Sequence, residues 1–371
     1  MDDIKKKYRF VSIYLPQFHP IPENDKAWGK GFTEWTNVKK SKSLFWGHNQ
    51  PRVPHESVGY YDLRDPEVMV KQAEMAKSHG LHGFAFYHYW FNGKRLLNLP
   101  IDNLLKTGKP DFPFYLIWAN ETWSRRWLGE EKEIILKQTY SEDDNIRHMN
   151  WLLEVFSDPR YIRINNRPVF TIYRPTSIPN IEKFVETFKT LSIKNNVEEP
   201  YLIASNSNTG NEDPRKWGFD GILNFEPQLG VLPYILDDRK LKAKFKNNLS
   251  FGIISNKLKV YSYPKAKEMM VNREFDYPYF PCSFVDWDNS PRRGNNGIIL
   301  KGATPQLFAK YLRQLIEKFK NMNLSDDENL IMINAWNEWA ESNYLEPDKK
   351  NGFKYLDALK AVIDEVNSFE E

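Results

Sequence analysis

Glu338 and Glu341 stand three residues apart in Ile331-Met332-Ile333-Asn334-Ala335-Trp336-Asn337-Glu338-Trp339-Ala340-Glu341, where an apolar run passes into carboxylates flanked by Trp336, Asn337, Trp339 and Tyr344. Two such carboxyl groups could act as general acid and base in cleaving a glycosidic bond. If the turn after the run is helical, positions i and i+3 face the same way with about 5 to 6 Å between β-carbons. That is close to the roughly 5 to 5.5 Å between the carboxyl groups of a retaining glycosidase. Glu-x-x-Glu alone also describes a solvated surface loop. The aromatic surroundings favour a site, because solvated loops seldom carry so much apolar surface.

Such a pair must be held at the mouth of a rigid scaffold, and the chain supplies one in pattern. Eight short β-rich apolar runs recur: Tyr8 to Leu15, Leu81 to Tyr87, Phe114 to Trp118, Val169 to Tyr173, Tyr201 to Ser205, Gly221 to Phe225, Phe280 to Val285 and Leu330 to Trp336. Between many of them lie stretches of helical period: Pro66 to Ser78, Glu142 to Phe156, Ile181 to Leu191, Pro305 to Phe319 and a closing Lys354 to Phe369. Asp65, Ser141 and Thr304 precede three of these in N-cap position. Runs buried on both faces, alternating with helices, imply a parallel sheet. Eight repeats predict a single α/β domain over residues 1–371, a (β/α)₈ barrel with its site at the C-terminal strand ends. A doubly wound sheet is the rival, but no strand leads into a Gly-x-Gly-x-x-Gly turn or a Walker loop. Two segments depart from the repeat. Residues 16–64 form a long β1α1 connection rich in Trp, His and Pro, the kind of loop that is usually functional. Residues 236–279 form a Lys-rich insert between strands 6 and 7, in which Arg239 to Lys246 reads as a solvated helical face.

Residues just past each run should converge on one cleft. Tyr14, Gln17 and His19 follow the first, with Trp35 further along the loop, and His88 and Tyr89 follow the second. Trp118, Asn120, Glu121 and Trp123 follow the third, Tyr173 the fourth, Glu226 the sixth, and Asp286 and Trp287 the seventh. Trp336 and Asn337 adjoin the two glutamates. Amides, carboxylates and aromatic rings suit a ligand rich in hydroxyls with flat C–H faces. Competing readings stand beside several of them. His88 in an apolar strand is also what a satisfied core histidine looks like, and no His or Cys partner at ligand spacing supports a metal. Arg125 and Arg126 could clamp an anionic substituent or pair with Glu130, Glu131 and Glu133. Asp286-Trp287-Asp288 matches the Asp-x-Asp of metal-dependent glycosyltransferases in three residues only, and the sequon at Asn120 falls at a strand end.

Composition excludes other classes. Aromatics make up 15% of the 371 residues, with 12 Trp; such rings give flat stacking faces for sugars, although large core side chains account for most of them. A formal charge of +3 does not point to nucleic acid. Cys282 is the only cysteine, so neither a disulfide nor a cysteine metal cluster is expected. No run reaches the length of a membrane span. The N-terminal residues do not read as a signal peptide, so the expected place is the cytoplasm unless a leader has been removed. No cofactor is expected, and oligomeric state is left open.

Tyr14-Leu15-Pro16-Gln17-Phe18-His19-Pro20, Trp28 to Trp35, Gly83 to Phe91, Trp118 to Trp127, Trp336 to Glu341 and Leu345-Glu346-Pro347 together resemble the WbsX-like family of polysaccharide loci. That family was first labelled glycosyltransferase and is related to the family 99 glycoside hydrolases, the endo-α-mannosidases and endo-mannanases. The resemblance implies that Glu341 is the general acid/base and that Glu338 draws the proton from the sugar's own 2-OH. A 1,2-anhydro sugar would follow and be opened by water with net retention, which requires O2 trans to the leaving group, as in α-mannose or α-rhamnose. Ala340 stands where family 99 often has histidine, so the chemistry transfers better than the specificity. The expected function is a retaining, endo-acting glycoside hydrolase on a polysaccharide with manno-configured residues. A glycosyltransferase of O-antigen or capsule assembly and a non-catalytic carbohydrate-binding protein are the alternatives.

Overall fold

The computed structural model describes residues 8–125, 130–210, 212–234, 257–322 and 324–368. Eight parallel strands close a barrel: β1 (Arg9–Tyr14), β2 (Gly83–Phe91), β3 (Phe114–Trp118), β4 (Arg167–Ile172), β5 (Tyr201–Ser205), β6 (Gly221–Asn224), β7 (Phe280–Phe284) and β8 (Leu330–Asn334). Each pairs with its sequence neighbour, and β1 closes the ring by pairing with both β8 (Val11 opposite Met332) and β2 (Val11 opposite Gly83). The expected (β/α)₈ barrel is therefore the fold. Its strands are buried along nearly their whole length because the barrel interior covers one face and helices the other.

The helices begin where side chains can satisfy their first amides. Asp65 accepts from Glu67 N at the start of Pro66–Ser78, Ser141 from Asp144 N at Glu142–Phe156, and Thr304 from Leu307 N at Pro305–Lys320. Ile181–Lys194 and Lys354–Asn367 complete the expected set. Strand ends differ from expectation at two places. β2 runs on to Phe91 because an antiparallel strand, Lys94–Leu96, folds back on it and satisfies its edge. β8 stops at Asn334, and Trp336 leaves the ladder to donate its N–H to the Ile13 carbonyl at 2.7 Å.

The long loop 16–64 is ordered around its own aromatic centre, where Trp35 contacts Phe18, Tyr61 and Trp339. The stretch Arg239 to Lys246 lies outside the described residues. The described part of the 236–279 segment, between β6 and β7, packs on the barrel. Its helix Tyr263–Val271 packs on β7, with Lys267 Nζ donating to Ser283 Oγ at 2.9 Å, and its strand Lys259–Ser262 pairs in parallel with Ile298–Lys301. Among the described residues no helix is long and apolar enough to cross a membrane.

Closure leaves no room between β2 and β3 at Gly83, where a β-carbon would fall directly on the Pro113 carbonyl oxygen and the Ile162 side chain. The backbone oxygen cannot move without opening the ladder. Gly83→Ala is expected to cost roughly 2 kcal/mol or more, in the range of overpacked core sites, read as a lower midpoint in urea. An unchanged midpoint would show that the strands can part without loss.

Candidate active site

The turn after β8 carries both glutamates by a route other than an α-helix. Asn337–Glu338 pairs antiparallel with Asn343–Tyr344, and between them Trp339–Glu341 forms one 3₁₀ turn. In a 3₁₀ turn i and i+3 eclipse, so Glu338 and Glu341 still face one way. Three contacts hold the turn. The Asn337 amide accepts from Leu15 N at 2.7 Å and donates to Leu15 O at 3.0 Å, locking the turn to the end of β1. Trp339 stacks on Tyr344 at 3.8 Å between centroids, and its indole N–H donates to Glu346 at 2.6 Å. Glu346 also receives Tyr61 O–H and Gln72 Nε2, and burial pushes its carboxyl up to about 7. Glu346 therefore anchors the turn from behind and does not face the cleft.

One arginine organises the front. Arg292, on the short helix Ser290–Arg293, sends Nη1 to Glu341 at 2.6 Å, Nη2 to Glu338 at 3.0 Å, and both Nε and Nη2 to Glu34 Oε1 at 3.1 and 2.5 Å. Adjacent nitrogens of a planar fork thus set the two glutamates side by side. Ser290 N donates to Asp288, which also accepts from His48 and Gln50, so the helix that carries Arg292 is pinned to the 16–64 loop. Three carboxylates around one cation leave an excess of negative charge. Burial, and then the repulsion of Glu341 and Glu34 against the opposing pull of Arg292, push Glu338 up to about 8. Glu341 is raised by burial first, with Glu34 and Glu121 adding to it against the pull of Arg292. For Arg292, burial works to lower its pKa, but the three carboxylates outweigh it and hold the guanidinium charged. The pair titrates as a unit. Burial and the excess of negative charge both favour a protonated form of the pair.

These groups open onto a cleft of about 380 Å³ at the C-terminal mouth of the barrel. Of the residues expected from sequence, Gln17, Tyr89, Glu121, Trp123, Tyr173, Trp287, Glu338 and Glu341 line it. Tyr89 meets Trp123 edge to face at 5.2 Å, and Tyr173 meets Phe225 at 5.0 Å, giving a rigid aromatic wall. Glu121 is held by Arg174 Nε at 2.9 Å. The sequence reading missed Arg292 and Glu34. Neither charge nor spacing marks them out, because their partners lie in remote segments.

The rest lie outside the cleft lining. The Asn120 side chain is consumed by Arg174 N and O and by Tyr140 O–H, so it shapes the wall from within. Trp118 points outward onto His148 and Phe184, and His88 bonds His148 at 2.9 Å and stacks on Trp151, which makes it a core histidine. Burial, and then Arg95, hold His88 down to about 3. Tyr14 donates to Gln72, the Trp35 indole to Tyr61 O, and Trp336 packs on Phe84, all inside the core. His19 is buried in the loop beside Asp62. The Asn337 amide is taken up by the Leu15 backbone and the Tyr61 hydroxyl. Glu226 is buried behind the cleft with Lys267 and Arg273 as its nearest cations. Asp286 pairs with Arg52 at 2.7 Å. With Asp288 also engaged, the Asp-x-Asp stretch binds protein partners. The Arg125 side chain and Arg126 lie outside the described residues.

Because burial raises Glu338 above its ordinary value of 4.5, folding disfavours its ionised form. The cost is absent below about pH 4.5 and complete above about pH 8, so removing the charge should stabilise the protein increasingly across that window. Glu338→Gln is expected to gain on the order of 1 to 3 kcal/mol over wild type at pH 8 relative to pH 5, read from melting curves of both proteins. A difference independent of pH would contradict the charge excess.

Comparison with known proteins bears on this geometry. A family model described as glycosyltransferase WbsX matches residues 10–359. The uncharacterized protein WxcX of Xanthomonas campestris pv. campestris (strain B100) is 37% identical over 355 residues, which is 95% of this chain and 49% of that protein. The chain thus spans about half the length of the curated relatives it matches. Among solved structures, the GH99 endo-alpha-mannosidase from Bacteroides thetaiotaomicron aligns over 97% of this chain and 98% of its own, with a TM-score of 0.57 and 14% identity. A glycoside hydrolase-like protein aligns over 97% and 95%, with a TM-score of 0.54 and 13% identity. At such identities the likeness is one of fold.

Proposed function

The chain belongs to the WbsX family and shares its barrel fold with an endo-α-mannosidase; on that premise we propose that it is a retaining, endo-acting glycoside hydrolase. Its substrate is a polysaccharide with manno-configured residues, of the α-mannose or α-rhamnose kind. The observation that carries this reading is the pair Glu338 and Glu341, set on adjacent nitrogens of Arg292 at the barrel mouth. A glycosidic bond needs one carboxyl protonated and one ionised in the same cleft.

The roles follow the family resemblance and fit the local environment. Glu341, with a side chain 21% exposed against 8% for Glu338, is the better placed to reach a leaving oxygen and later a water. In the reactive form Glu341 is protonated. Glu338, made more basic by burial, takes the proton of the 2-OH, and O2 attacks C1 as the C1–O glycosidic bond breaks and Glu341 protonates the departing oxygen. Water then attacks C1 of the 1,2-anhydro sugar, losing a proton to Glu341, while Glu338 returns its proton to O2. Two displacements at C1 give retention. Trp123, Trp287 and the tyrosines offer stacking faces, and the open mouth suits a chain rather than a single sugar.

The family's description favours a second reading, glycosyl transfer from a nucleotide sugar. Monitoring nucleotide-sugar binding by ultraviolet absorption with and without manganese separates the two, since the hydrolase uses neither. Within the hydrolase reading, a general acid matters less when the leaving group is good. Glu341→Gln should lose about 10²- to 10⁴-fold on polysaccharide but keep much of its first-step rate on an activated aryl glycoside. Glu338→Gln should be poor on both, and a 2-deoxy substrate should resist even the wild type. A covalent glycosyl ester trapped on Glu338 would replace 2-OH participation with ordinary double displacement.

A further inference from the structure

Glu34 belongs to the 16–64 loop, not to the barrel, yet its side chain is fully buried against the carboxylate pair. It opens the helix Glu34–Lys40, with Thr33 capping that helix and Glu34 N donating to Gln17 O at 3.0 Å. Next to it, Trp35 wedges against Trp339 and gives its indole N–H to Tyr61 O, so the loop cannot shift without moving the glutamate. A single oxygen, Glu34 Oε1, receives Arg292 Nε, Arg292 Nη2 and the Ala340 backbone N–H at 3.2 Å. It therefore ties together the helix that supplies the cation and the turn that supplies the pair. Its charge is also surplus: with Glu338 and Glu341 alone, Arg292 would face two carboxylates instead of three.

We propose that Glu34 is a positioning residue for the Glu338–Glu341 pair, which aims the Arg292 fork and, by its own negative charge, keeps a proton on the pair when the loop is docked. The acid the reaction needs is thus supplied by loop and barrel jointly. This rests on the hydrolase reading for its catalytic consequence but not for its electrostatics. The titratable and charged groups facing the cluster are Arg292 from its helix, Glu338 and Glu341 from the turn, Tyr89 and Tyr87 from β2, Glu121 and Arg174 across the cleft, Tyr173 after β4, and Arg293. Glu34, Glu338 and Glu341 each pair directly with Arg292.

The test uses the full chain and Glu34→Gln, which keeps shape and an acceptor for Ala340 N–H but loses the charge, with Glu34→Asp as the conservative variant and melting curves to verify folding. Infrared difference titration of the resting protein follows the carboxylic-acid band, assigned by its loss in Glu338→Gln or Glu341→Gln. In wild type the band should persist at pH 7 and vanish in more alkaline solution. In Glu34→Gln the loss should move down by about one pH unit or more, and Glu34→Asp should restore part of the shift. On a cleaved polysaccharide, the alkaline limb of kcat/KM should move by the same amount, with kcat falling more than KM rises. A folded Glu34→Gln with an unmoved band overturns the proposal. Failure to cleave any polysaccharide, with the band shifted as stated, would leave Glu34 in place and refute the hydrolase reading instead.

Discussion

A buried guanidinium shared by three carboxylates sets the terms for the rest of this molecule. Arg292 reaches Glu34, Glu338 and Glu341 with three of its nitrogens, joining the 16–64 loop to the turn that carries the pair. Such a cluster is costly in isolation, since desolvation of each ion is only partly returned by attraction. It persists because the barrel, the loop and the C-terminal turn are each fixed by other means. Its imbalance raises the pKa of both Glu338 and Glu341, because burial and too little positive charge disfavour the ionised forms.

The means of fixing are mostly uncharged. Asn337 bridges the turn to β1 through both its amide atoms, Trp339 is sandwiched by Tyr344 and tethered to Glu346, and Asn120 holds Arg174 from behind. These groups do not face the cleft, but they hold the cleft's charged groups to one geometry, which is what a pair acting on a single bond requires. That division explains why polar and aromatic residues cluster so densely at the strand ends while only part of them line the cleft. The remainder hold the others in place.

Much of this was legible in the sequence. Buried parallel strands need unbroken apolar runs, and helix starts need capping side chains, so runs such as Phe114–Trp118 and caps such as Asp65, Ser141 and Thr304 gave the barrel and its order. Glu338 and Glu341 were legible because they are neighbours in sequence, where spacing carries information. Direction was less so. Trp118 and Asn120 follow a strand as Glu121 and Trp123 do, but which side of the wall each faces depends on packing partners such as His148 and Tyr140. Arg292 and Glu34 were out of reach for the same reason, being 258 positions apart and joined only by the fold. The i,i+3 convergence was anticipated through an α-helix and realised through a 3₁₀ turn, which shares that one spacing property.

The central proposal is that the pair at the mouth of this barrel cleaves a manno-configured glycan within its chain and with net retention. Proton magnetic resonance of the purified protein incubated with an α-mannan, recorded before mutarotation is complete, tests it most directly. The account predicts new reducing ends that appear first as the α-anomer, on fragments longer than one sugar. First appearance of the β-anomer, or an intact glycan alongside transfer from a nucleotide sugar, would contradict it.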